Sequence, residues 1–260
     1  MNNKEKLIKT EPVRYEYLDV LRGVTLISMI LYHAMWDLVY IAGIKADWFR
    51  SEAAYIWQQS ICWTFILLAG FCWSMGRRKL KRGCIVFGAG ALITLVTVIF
   101  LPQQRVIFGV LTLLGTCMLL MILAVRILDK ISGIIGFILS MGFFLFMKNI
   151  NRGLLGIGGF INIRLPKEWY DGGVIMTFLG FTDKDFYSTD YFSLLPWLFL
   201  FWSGYFLYRI FKDKNLLVCA TMQKIQNKPL AFIGRNSLLI YLLHQPVIYL
   251  VVMMVFANNK

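Results

Sequence analysis

Seven stretches of the chain run for about twenty residues with few or no charges: 18–43, 57–75, 83–101, 106–127, 131–147, 191–211 and 230–256. A hydrocarbon layer about 30 Å thick takes roughly 20 apolar residues of α-helix to cross. The pattern therefore predicts an all-α fold, a polytopic transmembrane bundle of about seven helices. Polar connections between the runs are short except for one, 148–190, which contains the glycine-rich "GLLGIGGFINI" (153–163). That segment is too short to span, and it reads either as a re-entrant segment lining a cavity or as a surface loop with a greasy patch.

Composition agrees with the pattern. Of the 260 residues 58% are hydrophobic and 16% charged, and the mean hydropathy is +0.65, values foreign to a soluble globular domain. No repeat or low-complexity tract marks a second domain, so the chain divides into a leader over 1–17, one membrane domain over 18–256 and a tail over 257–260. The leader is polar, and the run after it is too long and too charged for a cleaved signal peptide, so the first helix is expected to stay in the protein. A net charge of +13 would point a soluble protein toward nucleic acid. Here the distribution of charge matters more, and it speaks for topology and against nucleic acid. With the N-terminus cytoplasmic, seventeen of the 27 Lys and Arg fall inside, five of them in "RRKLKR" (77–82), and nine fall outside, five of those in the 148–190 loop. The expected arrangement is N-terminus in, C-terminus out, with 148–190 external.

The first run breaks the apolar rule. Its sequence "LDVLRGVTLISMILYHAMWDL" (18–38) carries Asp19, Arg22, His33 and Asp37. Residues eleven apart on an α-helix lie about 20° apart around the axis and about 16 Å apart along it, so Arg22 and His33 share a face. Asp19 and Asp37 fall within about 60° of Arg22. An ionisable group at the bilayer centre costs roughly 2.5 to over 10 kcal/mol, so this stripe is expected to face a bundle interior or a watery cavity. A purely structural alternative fits the same residues: an interfacial Asp19–Arg22 ion pair, and a His33–Asp37 hydrogen bond one turn on.

The other histidine, His244, occurs in "IGRNSLLIYLLHQPVIY" (233–249), about as deep in the last run as His33 is in the first, with Ser237 and Tyr241 on its face. Equal depth predicts that the two imidazoles line one cavity with Arg22 at its cytoplasmic mouth. An imidazole with a pKa near 6.5 can take a proton from an attacking hydroxyl or ammonium, or carry an acyl group briefly. Asp37, at i+4, is placed to hold one ring nitrogen of His33. The planar fork of Arg22 suits phosphate, and Asn236 and Tyr241 could donate to a developing oxyanion. The cysteines, Cys62, Cys72, Cys84, Cys117 and Cys219, lack C-x-x-C spacing and are expected to be reduced packing residues.

Arg22, ten residues, then His33 is similar to the "LDxLRGxAxxxMxxxH" signature in the first helix of the membrane acyltransferase superfamily. Further blocks, "FILLAGFCWSMGRRKLKRG", "IFGVLTLLGTCMLL", "STDYFSLLPWLFLFWSGYFLY" and "GRNSLLIYLLHQPVIY", extend the likeness along nearly the whole chain. Together they resemble the bacterial relatives of heparan-alpha-glucosaminide N-acetyltransferase. Where those relatives often follow "FGVL" with a histidine, this chain has Thr112, so no third histidine is expected in the site. The resemblance implies an integral membrane acyltransferase that moves an acetyl or other acyl group from cytoplasmic acyl-CoA to an amine or hydroxyl of a sugar or glycan, at or across the membrane. Acetyl-CoA would be the co-substrate. His33, Asp37 and His244 would be catalytic, and Arg22, Asp19, Arg235, Asn236 and Tyr241 would contact acyl-CoA. It also implies a multi-pass protein of a bacterial plasma membrane, surrounded by lipid and able to form a homo-oligomer.

Two readings from other classes use the same residues. One is a transporter or flippase with the stripe as its polar path, although the chain shows none of the internal repeats common in secondary transporters. The other is a haem protein in which His33 and His244 are axial ligands from facing helices.

Overall fold

The computed structural model describes residues 15–157, 161–218 and 224–256. Seven of its helices are long and apolar enough to cross a membrane. They are α1 (Glu16–Tyr40), α2 (Glu52–Trp73), α3 (Lys79–Phe100), α4 (Val110–Leu128), α5 (Gly133–Met147), α7 (Leu194–Asp213) and α9 (Ser237–Phe256). A following 3-10 turn extends the α5 span to Arg152. Two short helices, α6 (Gly173–Leu179) and α8 (Lys228–Arg235), and a minimal antiparallel pair, β1 (Leu154–Leu155) with β2 (Ile163–Arg164), lie in the connections. The all-α polytopic bundle expected from the hydrophobic runs is the fold observed.

Local chemistry sets several boundaries. After α1 the chain turns through Gly43 at φ +74°, a left-handed conformation that glycine adopts without steric cost. The Ser132 hydroxyl accepts the Ile135 N–H at the start of α5, and the Asn227 side chain accepts the Leu230 N–H at the start of α8. Each cap satisfies one of the donors that a helix start leaves unpaired. The last run, expected as one helix over 230–256, is broken at Asn236 (φ −98°, ψ 20°). Its side-chain amide turns back to donate to the Phe232 carbonyl at 2.9 Å, which ends α8, and α9 starts at Ser237.

The centre of the bundle is formed by α2, α4 and α7, with Ile66, Leu113, Cys117, Met121, Leu200 and Phe201 fully buried and Phe144 of α5 packed among them. By contrast α3 and α9 expose Leu92, Leu95, Ile99, Val247, Leu250 and Met254, an apolar outer surface that suits lipid. Because lipid removes the hydrophobic drive between helices, association depends on close packing at small residues. A Cβ at Gly70 would lie 2.0 Å from the Phe201 carbonyl oxygen and one at Gly204 2.1 Å from that of Leu67, so the α2 and α7 backbones touch. The same holds for α1 and α8, where a Cβ at Gly23 would meet the Leu230 oxygen at 2.2 Å and one at Gly234 the Asp19 oxygen at 1.9 Å.

An odd number of spans puts the start of α1 and the end of α9 on opposite faces. The basic connections α2–α3, α4–α5 and α7–α8 share the face of the α1 start, the arrangement that the charge distribution calls for on the cytoplasmic side. A single cysteine placed at Lys79 in an otherwise cysteine-free chain is therefore expected to resist a membrane-impermeant thiol reagent in intact cells. Labelling from outside would reverse the orientation. In the opposite connection, the segment 153–163, of which 158–160 lie outside the described residues, includes a short antiparallel pairing: Leu154 faces Arg164, Leu155 faces Ile163, and Ile157, Ile161 and Ile163 are exposed, as in a surface loop with a greasy patch.

Candidate functional site

Helices α1 and α9 pack side by side and bring His33 and His244 together, with ring centroids 4.9 Å apart and planes at 59°. The Nδ1 of His244 lies 2.5 Å from the Tyr241 carbonyl oxygen. A carbonyl can only accept, so Nδ1 carries the proton and Nε2 keeps its lone pair. That Nε2 is buried with no partner among the described residues. His33 is half-buried, and its neighbours are rings: His244, and Tyr32 edge-on at 6.1 Å. Imidazoles this close leave no slab of space between them for a porphyrin, so the haem arrangement does not fit the pair.

Asp37 does not hold His33, contrary to the expectation from their spacing. It is fully buried, and its Oδ1 accepts the Gln245 side-chain N–H across the α1–α9 interface at 2.9 Å. Rotation about the helix explains the difference: α9 presents Gln245 to Asp37 and the preceding residue to His33, so each α1 side chain meets a residue of α9. Asp37 Oδ2 and Gln245 Oε1 have no partner among the described residues. With His244 Nε2 they make three buried acceptor atoms on residues of the α1–α9 interface, and a buried polar atom left unpaired costs about 1–3 kcal/mol. Gln245 was legible only as a polar residue after His244, and nothing in the spacing paired it with Asp37.

Asp190, from the "STDYF" block, is a second residue that sequence reasoning missed. Its segment is strapped to the α3–α4 connection: the Ser188 hydroxyl accepts the Ile107 N–H at 2.9 Å, and Phe192 N–H donates to the Phe108 carbonyl at 2.9 Å. The carboxylate accepts the Val110 N–H at 3.3 Å at the start of α4. Asp190 is half-buried, and its charge reaches Tyr241 and Cys62. The Tyr241 ring lies 5.1 Å from that of His244, so Asp190 stands on the outer side of the histidine pair. Burial pushes the Asp190 carboxyl up from 3.8 to about 6, against the opposing effect of the Val110 hydrogen bond. A carboxyl that holds its proton more tightly when folded makes the fold more stable as pH falls through about 6 toward 4. Thermal unfolding in detergent should show that gain in the wild type, and it should vanish in Asp190→Asn.

At the other end of the stripe, Arg22 Nη1 bonds Asp19 Oδ1 at 3.0 Å and Nη2 bonds Cys72 Sγ at 3.2 Å. Arg235 Nε stands 3.5 Å from Asp19 Oδ2, and Arg82 is near enough for its charge to interact with Arg22. The ion pair of the structural alternative is thus present, and its His33–Asp37 hydrogen bond is not. Two arginines on one aspartate, with Arg82 close by, make the described residues of this mouth rich in positive charge. Beyond it Arg77, Arg78, Lys81 and Arg82 line a cleft of about 340 Å³. Cys72 is a polar partner here as well as a packing residue; Cys62, Cys84 and Cys117 are also free thiols, while Cys219 lies outside the described residues. Asn236, expected as an oxyanion donor, spends its amide on Phe232 at the helix break instead. Tyr241 stays beside His244. Thr112 lies at the α3–α4 crossing against Gly90.

The structure therefore joins His33, His244, Asp37 and Tyr241 in one interior site and Arg22, Asp19 and Arg235 in a second cluster about 16 Å nearer the start of α1. No curated protein and no solved structure matches the chain. Residues 14–246 match the family described as heparan-alpha-glucosaminide N-acetyltransferase, catalytic. That match covers the "LRG" helix, both histidines and every interior residue described above, and with it the chain belongs to the heparan-alpha-glucosaminide N-acetyltransferase catalytic family, a family of membrane acetyltransferases.

Proposed function

We propose that the protein transfers an acyl group, chiefly acetyl, from cytoplasmic acyl-CoA to an amine or hydroxyl of a sugar or glycan at the outer side of the membrane. The observation that carries this reading is the set of three unpaired buried acceptors, His244 Nε2, Asp37 Oδ2 and Gln245 Oε1. Acceptors without donors are complementary to a donor-rich group, such as a sugar hydroxyl or an ammonium. His244 Nε2 or His33 removes the proton of that group as its nitrogen or oxygen attacks the thioester carbon. The carbon–sulfur bond breaks, and the CoA thiolate leaves with that proton. Tyr241 O–H is placed to donate to the oxyanion. Alternatively His33 takes the acyl group first and hands it on. Arg22 and Arg235 hold the CoA phosphates at the mouth, about 16 Å along α1 from His33, a distance for the flexible pantetheine arm to bridge.

Incubating purified protein with labelled acetyl-CoA and a panel of amino sugars tests this. Expected are CoA release and label on sugar, or on protein if an acyl-histidine forms. Uptake of solute by vesicles with no CoA release would replace the proposal with the transporter reading. Arg22→Lys keeps the charge and loses the fork, so KM for acyl-CoA should rise severalfold with a smaller change in kcat, read from steady-state kinetics.

A further inference from the structure

Positive charge on the outer face needs a reason other than topology, and the 148–190 connection holds five of the nine outer Lys and Arg. Arg152, Arg164, Lys167 and Lys184 line one cleft of about 540 Å³ with Tyr170 and Thr182, and no carboxylate lines it. Lys184 is held by Asp171 at 2.9 Å, while the side chains of Arg152, Arg164 and Lys167 make no ion pair or hydrogen bond among the described residues. Tyr170 is fixed in the wall by its hydroxyl, which donates to the Ile150 carbonyl at 2.5 Å. The volume falls within the range of about 300–1,000 Å³ typical of small-ligand sites.

The hairpin beside this cleft has two chemically different faces, since successive strand residues point to opposite sides. Leu154 and Arg164 form one cross-strand pair and line the cleft, whereas the next pair, Leu155 and Ile163, turns the other way with Ile163 exposed. Trp169, Val174 and Ile175 are bare as well. Gly156 N–H donates to the Phe146 carbonyl at 2.8 Å, which pins the hairpin to the last turn of α5 and so to the polar boundary of the bilayer. Cations, an indole and aliphatic side chains at that level are the makings of a membrane-interface site.

We propose that this cleft binds the phosphate of a lipid, with Arg152, Arg164 and Lys167 on the headgroup and the chain of the lipid along the apolar face of the hairpin and α6. Resting on the acyl-transfer reading, the same site docks a lipid-borne sugar acceptor. The cleft and the interior share a wall: the Ser193 hydroxyl donates to Asn151 at 3.0 Å, and the Thr182 hydroxyl donates to that of Tyr191 at 3.2 Å, and both partners adjoin Asp190. A bulk anionic phospholipid and a polyprenyl phosphate offer the same phosphate chemistry.

Binding to the detergent-purified full chain, followed by native mass spectrometry, separates these cases. The probes are polyprenyl phosphate, phosphatidylglycerol, phosphatidylcholine and inorganic pyrophosphate. Polyprenyl phosphate should bind best and phosphatidylcholine worst. The triple variant Arg152→Ala/Arg164→Ala/Lys167→Ala should lose at least tenfold in affinity for the phosphate lipid, and exposed Lys167→Ala alone about threefold, with the thermal unfolding temperature in detergent unchanged. Ile163→Asn should weaken lipid binding and leave pyrophosphate binding as it was. Equal lipid retention by wild type and both cation variants, or pyrophosphate binding as tightly as lipid, overturns the site. Preference for phosphatidylglycerol over polyprenyl phosphate keeps the lipid-phosphate site and removes the acceptor role. Because binding is read without turnover, failure of the acyl-transfer reading would leave this result standing.

Discussion

Replacing His33 by alanine is expected to lower acyl transfer by about 10² to 10⁴ fold, the usual contribution of a positioned general base, and by more if this imidazole carries the acyl group. The ring sits 4.9 Å from that of His244 and about 16 Å along the helix from Arg22, so acyl-CoA affinity should change little. His244→Ala should cost a comparable factor, because the Tyr241 carbonyl fixes its tautomer and directs a free Nε2 into the same space. The double variant should be barely worse than either single one, as groups acting in one step are strongly non-additive. Asp37→Asn should be intermediate, since it keeps a hydrogen-bonding side chain opposite Gln245 but removes the charge. Turnover and CoA binding measured separately on variants of matched folding decide the matter. Near-normal turnover in His33→Ala would make the stripe structural and remove the proposed mechanism.

The second large effect is expected from one methyl group. In Gly234→Ala the new Cβ would lie 1.9 Å from the Asp19 carbonyl oxygen, closer than atoms can approach, so α8 must move away from α1. Overpacking of this kind costs about 1–3 kcal/mol, and more where backbone is the obstacle. The displaced helix carries Arg235 and the Gly234 carbonyl, which lies 3.5 Å from Arg22 Nη1. A lower unfolding temperature should therefore come with a raised KM for acyl-CoA. Gly204→Ala is the control: its Cβ would meet the Leu67 oxygen at 2.1 Å at the α2–α7 crossing, which should lower stability without changing KM. An unfolding temperature for Gly234→Ala equal to that of the wild type would show that α1 and α8 do not touch there.

Periodicity and hydropathy by themselves determined the spans, because a helix in lipid must satisfy its own backbone and its length must match the bilayer. The Arg22–His33 stripe and the matching depth of His244 also followed from one-dimensional geometry, since rotation and rise along a helix are fixed numbers. Three features were decided only in three dimensions. The break at Asn236 depends on how closely α8 crosses α1, a backbone contact that no residue type announces. The partner of Asp37 is Gln245 and not His33 because pairing across an interface depends on the relative rotation of two helices, whereas i, i+4 spacing constrains only one. Asp190 enters the site because the 105–110 connection straps its loop against the start of α4, joining residues some eighty positions apart. Sequence spacing fixes what a single helix presents, and the packing of neighbouring elements selects what meets it.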